Sequence, residues 1–239
     1  MSTVLEGKAA LVTGAAGGIG SAVVRAFAEA GAQVLGVDRV EADHVCDVTR
    51  SGEVEGAVAA ALERFGRLDV VFNGAGISGR RLGDGPVERC TEDAWDAVLD
   101  TNLKSVFLCS KHSIPALRRA GGGAIVNLSS VTGLVGSEDF DTHAYAASKG
   151  GIVALTRAMA VAYARDGIRC NAICPGVIDT PMSERVRSDP RLMERVAELQ
   201  PLTGAPGRPE DVAEAALYLA TAPFVTGAVL PVDGGWTAR

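Results

Sequence analysis

A phenol and an ammonium group stand four residues apart in the run Tyr145-Ala146-Ala147-Ser148-Lys149. On a helix that spacing stacks the two side chains on one face, one turn apart. An ammonium beside a phenol favours the phenolate. Free tyrosine ionises near pH ~10, so proton transfer near neutrality needs a depression of about three units, roughly 4 kcal/mol of differential stabilisation. A neighbouring cation, helped by a bound positively charged cofactor, is a source of that stabilisation. Such a pair taken alone is an ordinary feature of helix surfaces. Its meaning depends on Ser130 shortly before it, on Asn102 further back, and on the elements that carry them.

Thr142 opens a helical pattern that holds Tyr145 and Lys149 and continues through Ile152, Leu155, Met159 and Tyr163 as an apolar stripe for core or subunit contact. Ala124 to Ser130 reads as a buried strand ending in hydroxyls, and Val131 to Asp141 as a loop. Thr91 reads as the N-cap of a long helix through Trp95, Val98, Leu103, Phe107 and Leu108. Asn102 lies inside that helix, where asparagine costs propensity and so either faces water or has a role.

Upstream, Lys8 to Val12 is a short apolar run followed by Thr13-Gly14-Ala15-Ala16-Gly17-Gly18-Ile19-Gly20 and then a helical pattern. Strand, glycine turn and helix together form a phosphate site: glycine lets backbone approach a pyrophosphate, and the helix N-terminus offers unpaired N–H groups. The second strand, Val34 to Val37, ends in Asp38, whose carboxylate can accept from ribose hydroxyls and repels a 2′-phosphate. That favours NAD and disfavours NADP, with Arg39 able to offset it in part. The stretch from Asp38 to Asp47 is too short for a crossover helix, which needs at least ~10 residues with its loops. It predicts a bare loop, a short strand near His44 to Cys46, and Asp47-Val48 at the adenine edge. Ser51 to Phe65 reads as an amphipathic helix. Leu68 to Phe72 reads as a strand ending in a second glycine turn, Asn73-Gly74-Ala75-Gly76, suited to a cofactor crevice.

Gly79 to Gly85 shows no usable pattern. Ile168 to Cys174 reads as a strand, Pro209 to Ala220 as a helix and Ala228 to Val232 as a last strand. Between them, 181–207 is irregular with partly helical apolar spacing broken by Pro190, and it is the expected lid. Alternating strands and helices without an all-β section predict one α/β domain, 1–239, on a parallel, doubly wound sheet.

A length of 239 residues suits one such domain, and a net charge of -6 argues against nucleic-acid or membrane-surface partners. No leader-like run occupies Met1 to Gly7 and no apolar run approaches ~18 residues, which predicts a cytoplasmic protein. Cys46, Cys90, Cys109, Cys170 and Cys174 are read as reduced thiols. Cys170 and Cys174 lack a second Cys/His pair, and His44, His112 and His143 are isolated, so no metal is expected.

These residues jointly resemble the short-chain dehydrogenase/reductase family over nearly the whole chain. Thr13-Gly14-x-x-x-Gly18-x-Gly20 matches its cofactor loop, and Asn73-Gly74-Ala75-Gly76 its turn after strand four. Asn102, Ser130, Tyr145 and Lys149 match its catalytic tetrad, and Pro175-Gly176 with Thr180 the segment that closes over the nicotinamide. Gly207-Arg208-Pro209-Glu210-Asp211-Val212-Ala213 and Val232-Asp233-Gly234-Gly235 match C-terminal signatures. The resemblance implies a Rossmann-type fold of about seven strands with helices on both faces. It also implies cofactor contacts at Gly14, Gly18, Ile19, Gly20, Asn73, Ala75, Gly76, Tyr145, Lys149, Pro175, Gly176, Val177, Ile178 and Thr180. By the same resemblance Tyr145 is the general acid/base, and Lys149 lowers its pKa and holds the nicotinamide ribose. Ser130 orients the substrate oxygen, and Asn102 supports a water that relays protons from Lys149. A homo-oligomer, dimer or tetramer, through the helices of Asn102 and Tyr145 is implied as well.

Three departures stand out. Gly74 replaces a usual second asparagine and is expected to loosen that turn. The crossover helix after Asp38 is missing, which opens the adenine side. The loop before Tyr145 is longer and holds Glu138, Asp139 and Asp141, expected to disfavour an anionic substrate unless Arg80 and Arg81 offset it. The expected activity is hydride transfer between NAD(H) and a small secondary alcohol or ketone. The alternatives are an NADPH-dependent 3-oxoacyl thioester reductase and a non-catalytic dinucleotide sensor.

Overall fold

Residues 3–238 are described by a computed structural model. Strand β1 (Ala9–Thr13) is fully buried and lies centrally in the sheet. Helix α1 (Gly18–Glu29) turns back over it, and β2 (Gln33–Asp38) pairs parallel to it. The short stretch after Asp38 contains only β3 (His44–Val45), the two-residue edge strand expected where no crossover helix fits. Helix α2 (Ser51–Phe65) leads to β4 (Val70–Asn73), which pairs with the other side of β1. Helices α3 (Glu92–Leu99) and α4 (Ser105–Arg119) precede β5 (Gly123–Leu128), and α5 (His143–Ala162) precedes β6 (Ile168–Pro175). The chain closes with α6 (Glu184–Arg187), α7 (Pro190–Leu199), α8 (Pro209–Thr221) and β7 (Val229–Val232).

The seven parallel strands run in the order β3-β2-β1-β4-β5-β6-β7. The order reverses between β1 and β4, which makes the carboxyl ends of those strands the crevice of a doubly wound sheet. One core layer packs Phe27, Val23, Val212, Ala216 and Leu219 of α1 and α8 on one face. The other face carries Val54, Val58, Leu117 and Met159 of α2, α4 and α5. Among the described residues no helix is long and apolar enough to cross a membrane, and the five cysteines are free thiols.

Two expectations are corrected. The single helix from Thr91 through Leu108 is interrupted by a π-helical turn at Asp100–Lys104, with Asn102 at its centre. A mid-helix π turn widens the ladder by one residue and is a frequent companion of functional sites. The 181–207 segment is more regular than its sequence suggests. Pro181–Ser183 makes a 3-10 turn, and α7 is capped by Asp189, whose carboxylate accepts from Arg191 N and Leu192 N. Pro190 opens α7 rather than breaking it, since proline at the first helical position forfeits no hydrogen bond.

Phe27 is fully buried between α1 and the sheet. Phe27→Ala is expected to lower stability by about 3–5 kcal/mol, through lost transfer free energy plus an unfilled cavity. Urea unfolding measures this, and a loss below ~1 kcal/mol would contradict the packing described.

Candidate functional site

The crevice between β1 and β4 is built from two glycine turns locked to each other. Thr13 Oγ1 accepts from Gly74 N at 3.1 Å and Ala75 N at 3.4 Å. Closeness sets the residue types. A methyl at Gly20 would stand 1.9 Å from the Gly14 carbonyl oxygen, and one at Gly18 would stand 2.7 Å from Thr180 Cγ2. The first turn of α1 has no side-chain cap and no acidic residue, so the N–H groups at Gly18, Ile19 and Gly20 and the positive helix end face the crevice unclaimed. This cradle fits a dinucleotide pyrophosphate. Gly74 does not loosen its turn: the Phe72 ring fills the space of the missing side chain, with Cε1 2.4 Å from where a Cβ would sit.

At the adenosine end, Asp38 Oδ2 accepts from Ala16 N at 3.1 Å and Oδ1 from Arg39 N at 2.7 Å. Asp43 Oδ2 accepts from Gly36 N at 2.9 Å and adds a second carboxylate there. Asp47 turns its carboxylate into the start of α2, taking Thr49 N at 3.0 Å and Thr49 Oγ1 at 2.8 Å. Those bonds, from the Thr49 amide first, lower its pKa despite partial burial. Val48 is in the core with Val54 and Val58, so its side chain is spent on packing.

The side chains expected to do chemistry lie across the crevice. Tyr145, in the first turn of α5, is half-buried, and Lys149 one turn on is buried with Nζ 5.4 Å from the centre of the Tyr145 ring. Lys149 Nζ donates to Leu128 O at 2.8 Å, at the end of β5. Ser130 follows that strand end, and its Oγ accepts from Thr132 N at 3.2 Å and Thr132 Oγ1 at 3.0 Å. Asn102 is wholly buried: its Oδ1 accepts from Ile77 N at 2.8 Å, and its Nδ2 donates to Ile77 O at 3.0 Å and Ser148 Oγ at 3.1 Å. The π turn thus ties the loop after Gly76 to the helix of Tyr145. Gly76 lies beside Lys149, a methyl there being 3.6 Å from Nζ. Asn73 donates to Asn127 Oδ1 at 2.8 Å, while its own buried Oδ1 has no partner among the described residues.

The charges depart from the simple pair. Burial pushes the Tyr145 phenol up to about 12, opposed by the Ser130 hydroxyl, and pushes Lys149 down to about 8. Burial also raises the Cys174 thiol and keeps it uncharged. Proximity of lysine to tyrosine alone therefore does not deliver a phenolate near neutrality. Moving the phenol from about 12 to ~7 takes five pH units, about 7 kcal/mol. A single cation even at ~4 Å supplies about 4 kcal/mol at an effective dielectric near 20.

On the substrate side, the expected acidic rim is neutralised. Asp141 is paired with Arg80, and Asp139 with Arg191 at 3.2 Å and Arg195 at 3.0 Å, both on α7. Only Glu138 of the three carboxylates is left without an ion pair among the described residues. Pro175 ends β6, Gly176 follows it directly, and Val177 and Ile178 come next as buried residues. Gln200, which sequence reasoning missed, holds them: its Oε1 accepts from Val177 N, and its Nε2 donates to Val177 O at 3.3 Å and Ala205 O at 3.0 Å. Leu192, Val196 and Leu199 of α7 pack on Val131, Val177 and Trp236, and the Trp236 ring lies 5.1 Å from that of Phe140. Gln200 ends the apolar stripe of α7, and nothing local marks a glutamine as a clamp. Among the described residues no cluster of three metal-ligating side chains exists.

A family model described as enoyl-(acyl carrier protein) reductase matches residues 14–237. The chain is similar to cis-4-hydroxycyclohexanecarboxylate dehydrogenase of Sinomonas cyclohexanicum, 42% identical over 97% of both chains. It is 37% identical to a 3-oxoacyl-[acyl-carrier-protein] reductase of Thermotoga maritima, over 97% of this chain and 98% of the other. The crystal structure of levodione reductase superposes with a TM-score of 0.91 at 34% identity, covering 98% of this chain and 99% of that one. The chain belongs to the short-chain dehydrogenase/reductase family, oxidoreductases that act on CH–OH groups with a nicotinamide dinucleotide.

Proposed function

We propose that this protein is an NAD(H)-dependent dehydrogenase of small, cyclic or apolar secondary alcohols, run in reverse as a ketone reductase. The observation that carries the reading is the convergence of Ser130, Tyr145 and Lys149 at the carboxyl end of β5, across the crevice from the α1 pyrophosphate cradle. The relative that oxidises a hydroxycyclohexanecarboxylate supports a ring-bearing alcohol. The neutralised rim removes the objection to a substrate that carries a carboxylate.

In this reading Ser130 Oγ hydrogen-bonds the substrate oxygen, and the Tyr145 phenol takes its proton during oxidation or returns it during reduction. When bound, the dinucleotide supplies the hydride acceptor and a positive charge beside the phenol. Lys149, a cation below about pH 8, adds its own field and faces the ribose side next to Gly76. Asn102 uses both amide hydrogens and one lone pair of Oδ1 on Ile77 and Ser148, so a relay water near Lys149 would be held by the remaining Oδ1 lone pair or by backbone groups of the π turn. Gly14, Gly18, Ile19 and Gly20 would hold the pyrophosphate. Asn73, Ala75 and Gly76 would line the crevice, and Pro175 to Ile178 with Thr180 would cover the nicotinamide under a lid of residues 181–207. A contact of 47–48 with adenine would use backbone or Asp47, because Val48 is turned inward.

The carboxylates of Asp38 and Asp43, held by Ala16 N and Gly36 N, support NAD over NADP because they would repel a 2′-phosphate. A homo-oligomer is supported by the α4–α5 face. It carries a cavity of about 480 Å³ lined by Phe107, Ile114, Leu155 and Met159, and Phe107 is 50% exposed. A second reading, thioester reduction with NADPH, is favoured by the acyl-carrier-protein reductase relative and opposed by those carboxylates.

Two experiments test these assignments. Fluorescence titration is expected to show at least a tenfold preference for NADH over NADPH, about 1.4 kcal/mol, narrowed in Asp38→Ala. Equal or tighter NADPH binding to the wild type would contradict the carboxylate account. Ultraviolet titration of tyrosinate, wild type minus Tyr145→Phe, is expected to show one phenol ionising above the ordinary tyrosine range without cofactor and well below it with NAD. Tyr145→Phe should bind NADH and lose nearly all turnover. A low phenol pKa without cofactor, or retained turnover, would overturn the assignment.

A further inference from the structure

The first turn of α5 is capped from a distant part of the chain. Thr142 occupies the N-cap position, yet its side chain makes no cap bond, and the first turn holds no acidic residue of its own. Instead Asp84, only 4% exposed, reaches across the cleft loop. Its Oδ1 accepts from Ala144 N and its Oδ2 from Tyr145 N, each at 3.0 Å. The next residue continues the contact, Gly85 O accepting from His143 N at 3.1 Å. Three successive N–H groups of the helix that bears Tyr145 are thus satisfied by Asp84-Gly85, about sixty positions earlier in the chain.

Asp84 is itself held. Asp84 N donates to Gly79 O at 3.1 Å, Thr91 N donates to Gly83 O at 3.3 Å, and the Cys90 thiol lies 3.7 Å from Asp84 Oδ1. Arg80 of the same loop pairs with Asp141, just before α5. The loop begins at the second glycine turn, and Asn102 fixes its Ile77 through both backbone groups. One continuous segment, 73–85, therefore runs from the nucleotide crevice past Asn102 to the backbone amide of Tyr145.

We propose that Asp84 is a positioning residue for the hydride-transfer reaction, a two-oxygen cap that fixes the first turn of α5 and so sets the place of the Tyr145 phenol against Ser130 and Lys149. The inference rests on the reading of Tyr145 as the proton carrier. Two physical contributions of Asp84 oppose each other, which makes them separable. As a cap it holds the phenol where Ser130 and Lys149 favour ionisation. As a nearby anion it disfavours the phenolate. Its burial on two amide donors, with no ion pair among the described residues, favours the first role.

The test compares Asp84→Ala and Asp84→Asn with the wild type, using NAD, a secondary alcohol turned over by the wild type, and pH profiles of kcat. Asp84→Ala is expected to lower kcat by a factor on the order of 10 to 100, the size associated with a misplacement of about 1 Å, with NADH affinity unchanged. The acidic limb, where kcat falls as Tyr145 becomes protonated, should move to higher pH. Asp84→Asn keeps one acceptor oxygen without the charge and should recover most of kcat. If the limb moves to lower pH in both variants, Asp84 acts only as a charge and the proposal fails. If kcat and the limb are unchanged in Asp84→Ala, the cap is merely structural and the proposal fails. If Asp84→Ala does not fold, the decision rests on Asp84→Asn, where kcat within a few-fold of wild type and no downward shift of the limb support the cap. Tyr145→Phe separates the two readings. Turnover retained there sinks the proton-carrier assignment, whereas turnover lost there but kept in Asp84→Ala sinks only the role of Asp84.

Discussion

The seating of α5 against the carboxyl ends of β5 and β6 is the constraint on which the candidate site depends. It is fixed by contacts too close and too polar to slide. Ser129 Oγ donates to Lys149 O at 2.8 Å, and a methyl at Gly133 would stand 2.6 Å from the Lys149 carbonyl carbon. Deeper in the layer, Asn73 donates to Asn127, Asn127 to Thr156, and Thr156 to Ile152 O, each bond between 2.7 and 2.8 Å. This buried chain crosses from β4 through β5 into α5, so the cofactor turn and the helix of Tyr145 move as one unit. Each buried group left without its partner would cost about 1–3 kcal/mol, which makes partial displacement of α5 unfavourable.

That rigidity changes how the tyrosine is read. Burying a phenol and an ammonium together penalises both charges, and in the cofactor-free protein the penalty exceeds what the pair returns. The site is therefore poised rather than active by itself: near neutrality Lys149, lowered to about 8, is still largely a cation, while Tyr145, raised to about 12, stays a neutral phenol. The rim shows the same logic with the opposite result. Asp139 and Asp141 are each paired with arginine, so the rim contributes little net field.

The elements and the glycine turns were legible in sequence because their signals are local. Apolar runs of strand length, a glycine turn at Gly14 to Gly20, and the Thr91 cap each sit within a few residues of what they determine, and Thr91 Oγ1 does accept from Ala94 N. The missing crossover helix was legible from chain length alone. The illegible parts are pairings across the chain. The π turn at Asn102 follows from its bonds to Ile77, the cancelled acidic rim from arginines on α7, and the cap on α5 from Asp84. Gly74 misled because its partner is the Phe72 ring, whose direction spacing does not reveal.

The measurement that bears most directly on the account is NADH formation when the purified protein is given NAD and a panel of secondary alcohols that includes cis-4-hydroxycyclohexanecarboxylate. NADH is expected to accumulate with cyclic secondary alcohols, with far less product when NADP replaces NAD. No NADH from any cyclic alcohol, together with NADPH consumption in the presence of a 3-oxoacyl thioester, would contradict it.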